Sequence, residues 1–276
     1  MNKLQLIFSR ARSAKPARIV AGFLLFAFFS PTTLAAPLLA YEVLATLPHD
    51  ARDFTQGLAI HEGELFESTG HFGNSALLRK KLDDGTRRQR RSLPDNQFGE
   101  GVALAGARWI QLTWSSGVAW IYDLSLRRTG TFRYNGEGWG LTFDGTHLLM
   151  SDGSSRITRR RADTFERISV LDVRDDNAPV MRLNELEFAN GWLYANVWQT
   201  DRVAVIDPVN GVVRGWHDLS ALRQGFVKPA GWNPQDHVLN GIAWNPDNKH
   251  FYLTGKCWPV MFEIKFDEPP TPTPRK

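Results

Sequence analysis

Five polar or aromatic side chains occupy matching positions in five related segments of the sequence. Each one directly precedes the residue at which the segments align, and the set is Gln56, Glu100, Trp139, Glu185 and Asn240. Two carboxylates, two carboxamides and an indole are more typical of a binding or catalytic site than of a packed ring of small or apolar residues. A carboxylate beside such groups is suited to proton transfer and to oxyanion stabilisation on a small polar substrate.

A second set of polar and aromatic residues lies on the strands that follow, and we expect it close to the first. It consists of Glu67, Gln111, Trp114, Trp198 and Lys256. We interpret Trp114, Trp139 and Trp198 as walls of a pocket at the same end of their strands as Glu100. The other strand tryptophans are interpreted as space-filling residues between sheets, namely Trp109, Trp120, Trp192, Trp216 and Trp244.

Several other chemistries lack their motifs in this sequence. The seven histidines are scattered, and none has the spacing of a zinc-binding His-x-His or His-Glu-x-x-His motif. There is no Gly-rich phosphate loop, no nucleotide-binding fingerprint and no serine in a nucleophile elbow. The single cysteine, Cys257, excludes an intramolecular disulfide, and we interpret it as a small strand residue.

The elements that must position these residues are five copies of one hairpin. Each copy has an apolar strand, a tight turn with Gly or Asn, and a second apolar strand; the copies span residues 54–70, 98–114, 137–153, 183–198 and 239–255. We align the copies at Gly57, Gly101, Gly140, Leu186 and Gly241. Their spacing of roughly 40 to 55 residues is the period of a four-stranded propeller blade.

The predicted fold class is therefore an all-β, five-bladed β-propeller of four-stranded antiparallel blades. The last unit lacks a fourth strand, and we predict that Tyr41 to Leu47 supplies it and closes the ring. The propeller is predicted as a single domain over residues 41–268, with an insertion at residues 218–238 in which Asp218 or Ser220 begins a short helix. The Pro-rich residues 269–276 are predicted to form a disordered tail.

Residues 1–35 are predicted to be a signal peptide. A basic start precedes the apolar run Ile19 to Phe29, and small residues at 33–36 provide a cleavage site. We expect a periplasmic or secreted protein, and an uncleaved N-terminal anchor is the alternative. Removing the five basic residues of this segment from the total of 33 leaves 28, against 29 acidic residues, so the mature chain is about neutral. We therefore expect no nucleic-acid partner and no stable membrane association after cleavage.

The sequence resembles a known family, the plant and bacterial type of glutaminyl-peptide cyclotransferase, also called glutaminyl cyclase. The matching segments cover nearly the whole mature chain in order, and they are FTQGL, FESTG, FGEG, QLTW, EGWGLT, SDGS, NELE, NVWQTD, LNGIAW and TGKCWP. The resemblance implies a five-bladed propeller, in agreement with the repeat count. It also implies an acyltransferase that converts the N-terminal glutamine of peptides or proteins to pyroglutamate and releases ammonia.

Carried over to this sequence, the resemblance implies that Glu100 of FGEG is the general acid and base. It implies that Asn184 and Lys256 hold the α-amine or the γ-carbonyl oxygen, and which residue does which is left open. Substrate-binding roles are implied for Phe54, Gln56, Phe98, Trp114, Trp139 and Trp198. Cys257 departs from the larger apolar residue that we would expect in TGKCWP, but it should point away from Lys256.

Two other functions stay open on the residues alone. One is a non-catalytic propeller that binds peptides at the same aromatic mouth. The other is a metal-dependent propeller lactonase, whose metal could be held by Glu67, Glu100, Glu185 and Asn240. For the cyclase we expect no catalytic metal and no cofactor, although a structural metal in the channel is compatible with it. We expect the protein to be monomeric.

Overall fold

The computed structural model describes residues 35–270. All but the last residue of the predicted signal peptide, and residues 271–276 of the predicted tail, lie outside the described residues. Within this range the chain forms five four-stranded antiparallel sheets, one two-stranded ribbon and one short helix. This architecture is a five-bladed propeller and confirms the predicted fold class. No helix in the described range is long and apolar enough to cross a bilayer.

The first strand, β1 (Tyr41–Pro48), belongs to the last blade, and the other four blades each use four consecutive strands. Blade 1 contains β2 (Thr55–His61), β3 (Glu64–Thr69), β4 (Ala76–Lys81) and β5 (Arg87–Ser92). Blade 2 contains β6 (Gly99–Ala105), β7 (Arg108–Thr113), β8 (Val118–Tyr122) and β9 (Arg128–Arg133). Blade 3 contains β10 (Leu141–Phe143), β11 (His147–Ser151), β12 (Arg156–Arg161) and β13 (Arg167–Asp172).

The ribbon of β14 (Arg174–Asp175) and β15 (Ala178–Pro179) follows blade 3. Blade 4 contains β16 (Leu183–Ala189), β17 (Trp192–Val197), β18 (Arg202–Ile206) and β19 (Val213–Asp218). The helix α1 (Ser220–Gln224) comes next, and blade 5 contains β20 (Leu239–Asn245), β21 (His250–Gly255) and β22 (Val260–Phe266) together with β1.

The two ends of the propeller are joined within blade 5. β1 pairs antiparallel with β22, from Tyr41 opposite Phe266 to Pro48 opposite Val260. The strand predicted from the sequence therefore closes the ring. Because β1 pairs with β22 as the outermost strand of blade 5, both ends of the described chain are held in one sheet, and the outer edge of β22 is paired.

Apolar residues between neighbouring blades hold the ring together. Trp109 and Phe66 are both buried and stack with ring centroids 4.0 Å apart. Burial of an indole removes roughly 200 Å² from water, worth about 5 kcal/mol of transfer free energy. All five tryptophans predicted to fill space pack within or against hydrophobic clusters of the propeller, and they are Trp109, Trp120, Trp192, Trp216 and Trp244.

The inner strands approach the axis so closely that side chains are excluded at most aligned positions. A Cβ atom on Gly140 would lie 2.0 Å from the carbonyl oxygen of Asn184, and one on Gly101 would lie 2.5 Å from the nitrogen of Leu141. Blade 4 is the exception, because it has no glycine at this position. The residue that occupies the position is not Leu186, which the sequence alignment had placed there. The register of β16 jumps from Leu183–Val197 to Leu186–Ala195, as that of β6 jumps from Gly99–Thr113 to Val102–Gln111.

The alignment of blade 4 predicted from the sequence is therefore wrong by one residue, because it did not take this β-bulge into account. Glu185, and not Leu186, matches Gly101, so Asn184 takes the position that matches Glu100. A bulge adds one residue to one strand of a pair, and strand alternation in the sequence does not reveal which residue it is. Leu186 is instead a buried core residue between blades 3 and 4.

The segment between blades 4 and 5 packs on the propeller through apolar side chains. Leu219 and Leu222 are buried in the same cluster as Trp258, and Phe226 and Trp232 pack against that cluster. The helix begins at Ser220, where the backbone N–H donates to Oδ1 of Asp218 (3.0 Å). This anchoring carries residues 233–238 to the mouth of the site described next.

Candidate active site

A pocket of about 260 Å³ opens where the inner strands of the blades begin. The nine residues for which the resemblance implied catalytic or substrate-binding roles all line it, and they are Phe54, Gln56, Phe98, Glu100, Trp114, Trp139, Asn184, Trp198 and Lys256. A tenth lining residue, Asp236, comes from the segment between blades 4 and 5 and was missed. The structure therefore brings the predicted set to one place, while the role of each residue stays a prediction.

Glu100 is the carboxylic acid at the bottom of this pocket. It lies in the β6 bulge, and only 5% of the residue is exposed. Burial raises the pKa of Glu100 well above its ordinary value, Lys256 opposes this shift, and Glu137 adds to it. A carboxyl group with a raised pKa can both accept and return a proton near neutral pH, as general acid–base catalysis requires.

Lys256 supplies a buried cation to the same pocket. It directly follows β21, and its backbone N–H donates to the carbonyl oxygen of Val238 (2.9 Å). Its Nζ atom lies 4.9 Å from the ring centroid of Phe54. Burial lowers the pKa of Lys256 to about 8, whereas Glu100 and Asp236 raise it. The ammonium is a mobile donor that could neutralise an oxygen acquiring negative charge.

Asn184 presents an acceptor without a partner. Its backbone carbonyl is held by the hydroxyl of Ser151 (2.6 Å), which fixes the β16 bulge. Its side chain is buried, and Oδ1 has no hydrogen-bond partner within the described residues. Because leaving a buried acceptor unpaired costs about 1–3 kcal/mol, this oxygen would gain from a hydrogen bond with an N–H donor.

The two amides of blades 1 and 5 form a fixed pair beside the acid. Nδ2 of Asn240 donates to Oε1 of Gln56 (3.3 Å) and to the backbone carbonyl of Thr55 (3.0 Å). The carbonyl end of Gln56 is thus occupied, and its amide nitrogen is the group it can offer to a ligand. Asn240, predicted in the central ring, supports Gln56 and does not line the pocket.

Aromatic rings form the walls of the pocket. The Phe98 ring meets Trp114 at a centroid distance of 6.2 Å, and Trp139 meets Trp198 edge-on at 5.6 Å. The indole N–H groups of Trp114 and Trp139 both donate to Oε2 of Glu137, at 2.8 and 2.9 Å. Glu137 lies behind the wall and was missed by the sequence analysis, although it stands in the matching segment EGWGLT.

Three other residues that the sequence analysis placed near the site do not line the pocket, and they are Glu185, Gln111 and Glu67. Glu185 is buried at the propeller axis, where its carboxyl oxygens accept the backbone N–H groups of Leu58 (3.2 Å) and Ile242 (2.7 Å). Gln111 bonds to Ser68 and Tyr122 inside the protein. The bulge explains the misplacement of Glu185, because its one-residue shift turns that side chain from the mouth into the channel.

Glu67, which the sequence analysis also placed near the site, belongs to a buried ionic cluster with His49, Asp53 and Lys80. Ligand-type atoms of His49, Asp53 and Glu67 lie within 4.8 Å of one another, the one such group in the described part of the chain. Nζ of Lys80 lies 2.6 Å from Asp53 and 2.5 Å from Glu67, so an ammonium already occupies the position of a cation. The carboxylates proposed for a lactonase metal are therefore not gathered at one site.

Comparison with known proteins extends over the whole propeller. The model of the glutamine cyclotransferase family matches residues 20–266. The chain is 40% identical to a glutaminyl-peptide cyclotransferase of Arabidopsis thaliana over 230 residues, which are 82% of this chain and 71% of the relative. It also matches the crystal structure of Myxococcus xanthus glutaminyl cyclase with a TM-score of 0.77 and 38% identity, covering 84% of this chain and 98% of the other.

Proposed function

The chain belongs to the glutamine cyclotransferase family, and we propose that it converts the N-terminal glutamine of peptides and proteins to pyroglutamate through the groups of this pocket. The observation that carries the proposal is the meeting of Glu100, Lys256 and the unpaired Oδ1 of Asn184 in one aromatic-walled pocket. The reaction needs a base, a group that stabilises an oxyanion and an acceptor that orients an amine, and these three residues can supply them.

In the proposed binding mode, Oδ1 of Asn184 accepts an N–H of the substrate α-amine. Lys256, as the cation, takes the γ-carbonyl oxygen of the glutamine side chain. Donor chemistry supports these assignments, because the unpaired atom of Asn184 is an amide oxygen, which only accepts, and the ammonium of Lys256 only donates. Of the two arrangements that the sequence left open, this is the one that we propose.

In the proposed chemical steps Glu100 takes one proton from the substrate and later returns it. Glu100 takes a proton from the amine nitrogen as this nitrogen bonds to the γ-carboxamide carbon. The carbonyl oxygen becomes an oxyanion beside Lys256. Glu100 then returns the proton to the amide nitrogen, the carbon–nitrogen bond breaks, and ammonia leaves. The carboxylate is regenerated, so no external acid is consumed.

Folding the substrate is a further part of the proposed catalysis. The nucleophile and the carbon belong to one residue, so the pocket has to hold this residue in a curved conformation. Phe54, Phe98 and Trp198 contribute apolar walls that fit its methylene groups. The same walls exclude bulk water, which could otherwise hydrolyse the amide.

We propose that catalysis needs no metal ion and no cofactor. The donor set of the pocket supports this, since a buried lysine stands next to the single buried carboxylate and disfavours a second cation. We further propose that the protein is exported, on the basis of the basic and apolar pattern of residues 1–35. We also propose that it acts as a monomer.

Ammonia release and loss of ammonia mass from a Gln-initiated dipeptide would test the proposal. The mature protein is expected to release ammonia with and without a chelator. Glu100→Gln should lower the rate by about 10²-fold or more. Glu62→Gln, an exposed glutamate in the β2–β3 turn, is the matched control and should keep the full rate. Absence of turnover by folded protein on any Gln-initiated peptide would contradict the proposal.

A further inference from the structure

One carboxyl oxygen joins two walls of the pocket. Oε2 of Glu137 accepts the indole N–H of Trp114 at 2.8 Å and that of Trp139 at 2.9 Å. Trp114 follows β7 of blade 2, whereas Trp139 precedes β10 of blade 3. The side chain of Glu137 thus spans the boundary between two blades on the pocket side of the propeller.

The backbone around Glu137 is fixed independently of this contact. The N–H of Gly138 donates to the carbonyl of Trp114 (3.0 Å), and the N–H of Gly101 donates to the carbonyl of Trp139 (2.7 Å). These bonds position the main chain of both tryptophans but leave their rings free to rotate about the side-chain bonds. An indole offers a single polar donor, so its hydrogen bond to Glu137 sets the ring orientation.

We propose that Glu137 is a positioning residue of the active site, which holds the indoles of Trp114 and Trp139 as one wall around the substrate glutamine and places a negative charge behind that wall near Glu100. This proposal rests on the proposed function. Glu137 touches neither the reacting atoms nor the pocket lumen, and it acts through the two indoles and through its field.

The charge of Glu137 acts on the catalytic acid together with few other groups. Within the described residues, Lys256, Glu137 and Tyr134 interact electrostatically with Glu100. Burial is the main cause of the raised pKa of Glu100, Lys256 lowers it, and Glu137 raises it. On its other side Glu137 borders a cavity of about 140 Å³ that is also lined by Arg156, Arg160 and Arg167.

Two variants separate orientation from charge. Glu137→Gln keeps a carbonyl oxygen for both indoles but removes the charge, so KM should stay within about threefold and the pH limb due to Glu100 should move to lower pH. Glu137→Ala removes both, and KM should rise about tenfold or more through loss of two charge-assisted hydrogen bonds. Glu62→Gln is the control and should change neither quantity.

Indole N–H signals in ¹H–¹⁵N spectra give a readout that needs no turnover. Glu137→Ala should shift two signals, assigned through Trp114→Phe and Trp139→Phe, and Glu137→Gln should shift them less. Unchanged KM and unchanged indole signals in folded Glu137→Ala would overturn the positioning role. An unmoved pH limb in Glu137→Gln would overturn the electrostatic role. If the wild-type protein released no ammonia, the proposed function would be wrong. The indole N–H signals would still show whether Glu137 fixes the orientation of Trp114 and Trp139, because they do not depend on turnover.

Discussion

Glu100 and Lys256 line one buried pocket, and each shifts the other's pKa against the effect of burial. Burial raises the pKa of Glu100 and lowers that of Lys256 to about 8, while the mutual attraction of the two charged forms opposes both shifts. Removing one partner should therefore drive the other further from its ordinary pKa.

The pH dependence of kcat/KM should show this relation. In the proposed mechanism Glu100 acts as a base when deprotonated, so activity should rise with pH through its raised pKa. Lys256 would act when protonated, so activity should fall as pH passes about 8. Lys256→Met should lower the rate by about 10²-fold or more, remove the alkaline limb and move the acidic limb to higher pH. Initial rates across a pH series would measure both limbs.

A substrate amine also titrates in this range, with a pKa of about 8. Its contribution belongs to the free peptide and should be the same for wild type and Lys256→Met. An acidic limb that stays at the same pH in the variant would therefore show that the limb belongs to the substrate and contradict the coupling of Glu100 with Lys256.

Asn184 should matter for activity and not for stability. Its Oδ1 is buried without a partner in the described part of the chain, so truncation removes an unsatisfied group from the free protein. We expect Asn184→Ala to change the free energy of unfolding by less than about 1 kcal/mol, or to raise it. The same variant should lose roughly 10- to 100-fold in kcat/KM, because it loses a hydrogen bond to the amine, whose nitrogen gains positive charge as it attacks the carbon. Urea unfolding and steady-state kinetics on one preparation would test the split, and a large loss of stability with normal kinetics would contradict it.

The buried ionic cluster should be essential for stability. Burial alone would raise the pKa of Glu67, but Lys80 and His49 together hold it below the ordinary value. Lys80→Met leaves the carboxylates of Glu67 and Asp53 buried without their ammonium, which should cost about 3–5 kcal/mol in free energy of unfolding. Lys81→Met, on the same strand but with a partly exposed side chain, is the matched control and should cost under about 0.5 kcal/mol.

The sign of the pH effect on this cluster follows from the lowered pKa of Glu67. A carboxylate with a depressed folded-state pKa stabilises the protein above its unfolded pKa of about 4.3, and this contribution is lost as pH falls towards the folded value. The difference in stability between wild type and Lys80→Met should therefore shrink below about pH 4. A difference that stays constant down to pH 3 would contradict the ionic explanation.

The repeat pattern was sufficient to predict the propeller and its closure, because strand alternation and turn residues recur in every blade. The nine pocket residues were found through matching segments, in which residue types and order are preserved across the chain. The one-residue error at Glu185 arose from the β16 bulge, a backbone irregularity that depends on the neighbouring strand. Asp236 and Glu137 were missed because both are exposed acidic residues in irregular segments, and their significance depends on which tryptophan or lysine lies beside them.

The glycines at the propeller axis should tolerate no side chain, and Gly140 gives the sharpest test. An alanine Cβ there would lie 2.0 Å from the carbonyl oxygen of Asn184, a backbone atom that cannot rotate away. We expect Gly140→Ala to cost more than about 3 kcal/mol in free energy of unfolding. Any folded fraction should have lowered kcat, because relief of the clash displaces the β16 bulge that carries Asn184.

The matched control for this substitution is Gly130→Ala on the outer strand β9. Its added Cβ would meet only the side chain of Ile121 at 3.7 Å, an ordinary contact. This variant should be neutral or more stable than wild type, because alanine has less conformational freedom than glycine in the unfolded chain. Equal stability of the two alanine variants in urea unfolding would show that the inner strands can separate. The close approach of the chain at Gly140 to β16 would then not be what fixes Asn184 in the pocket.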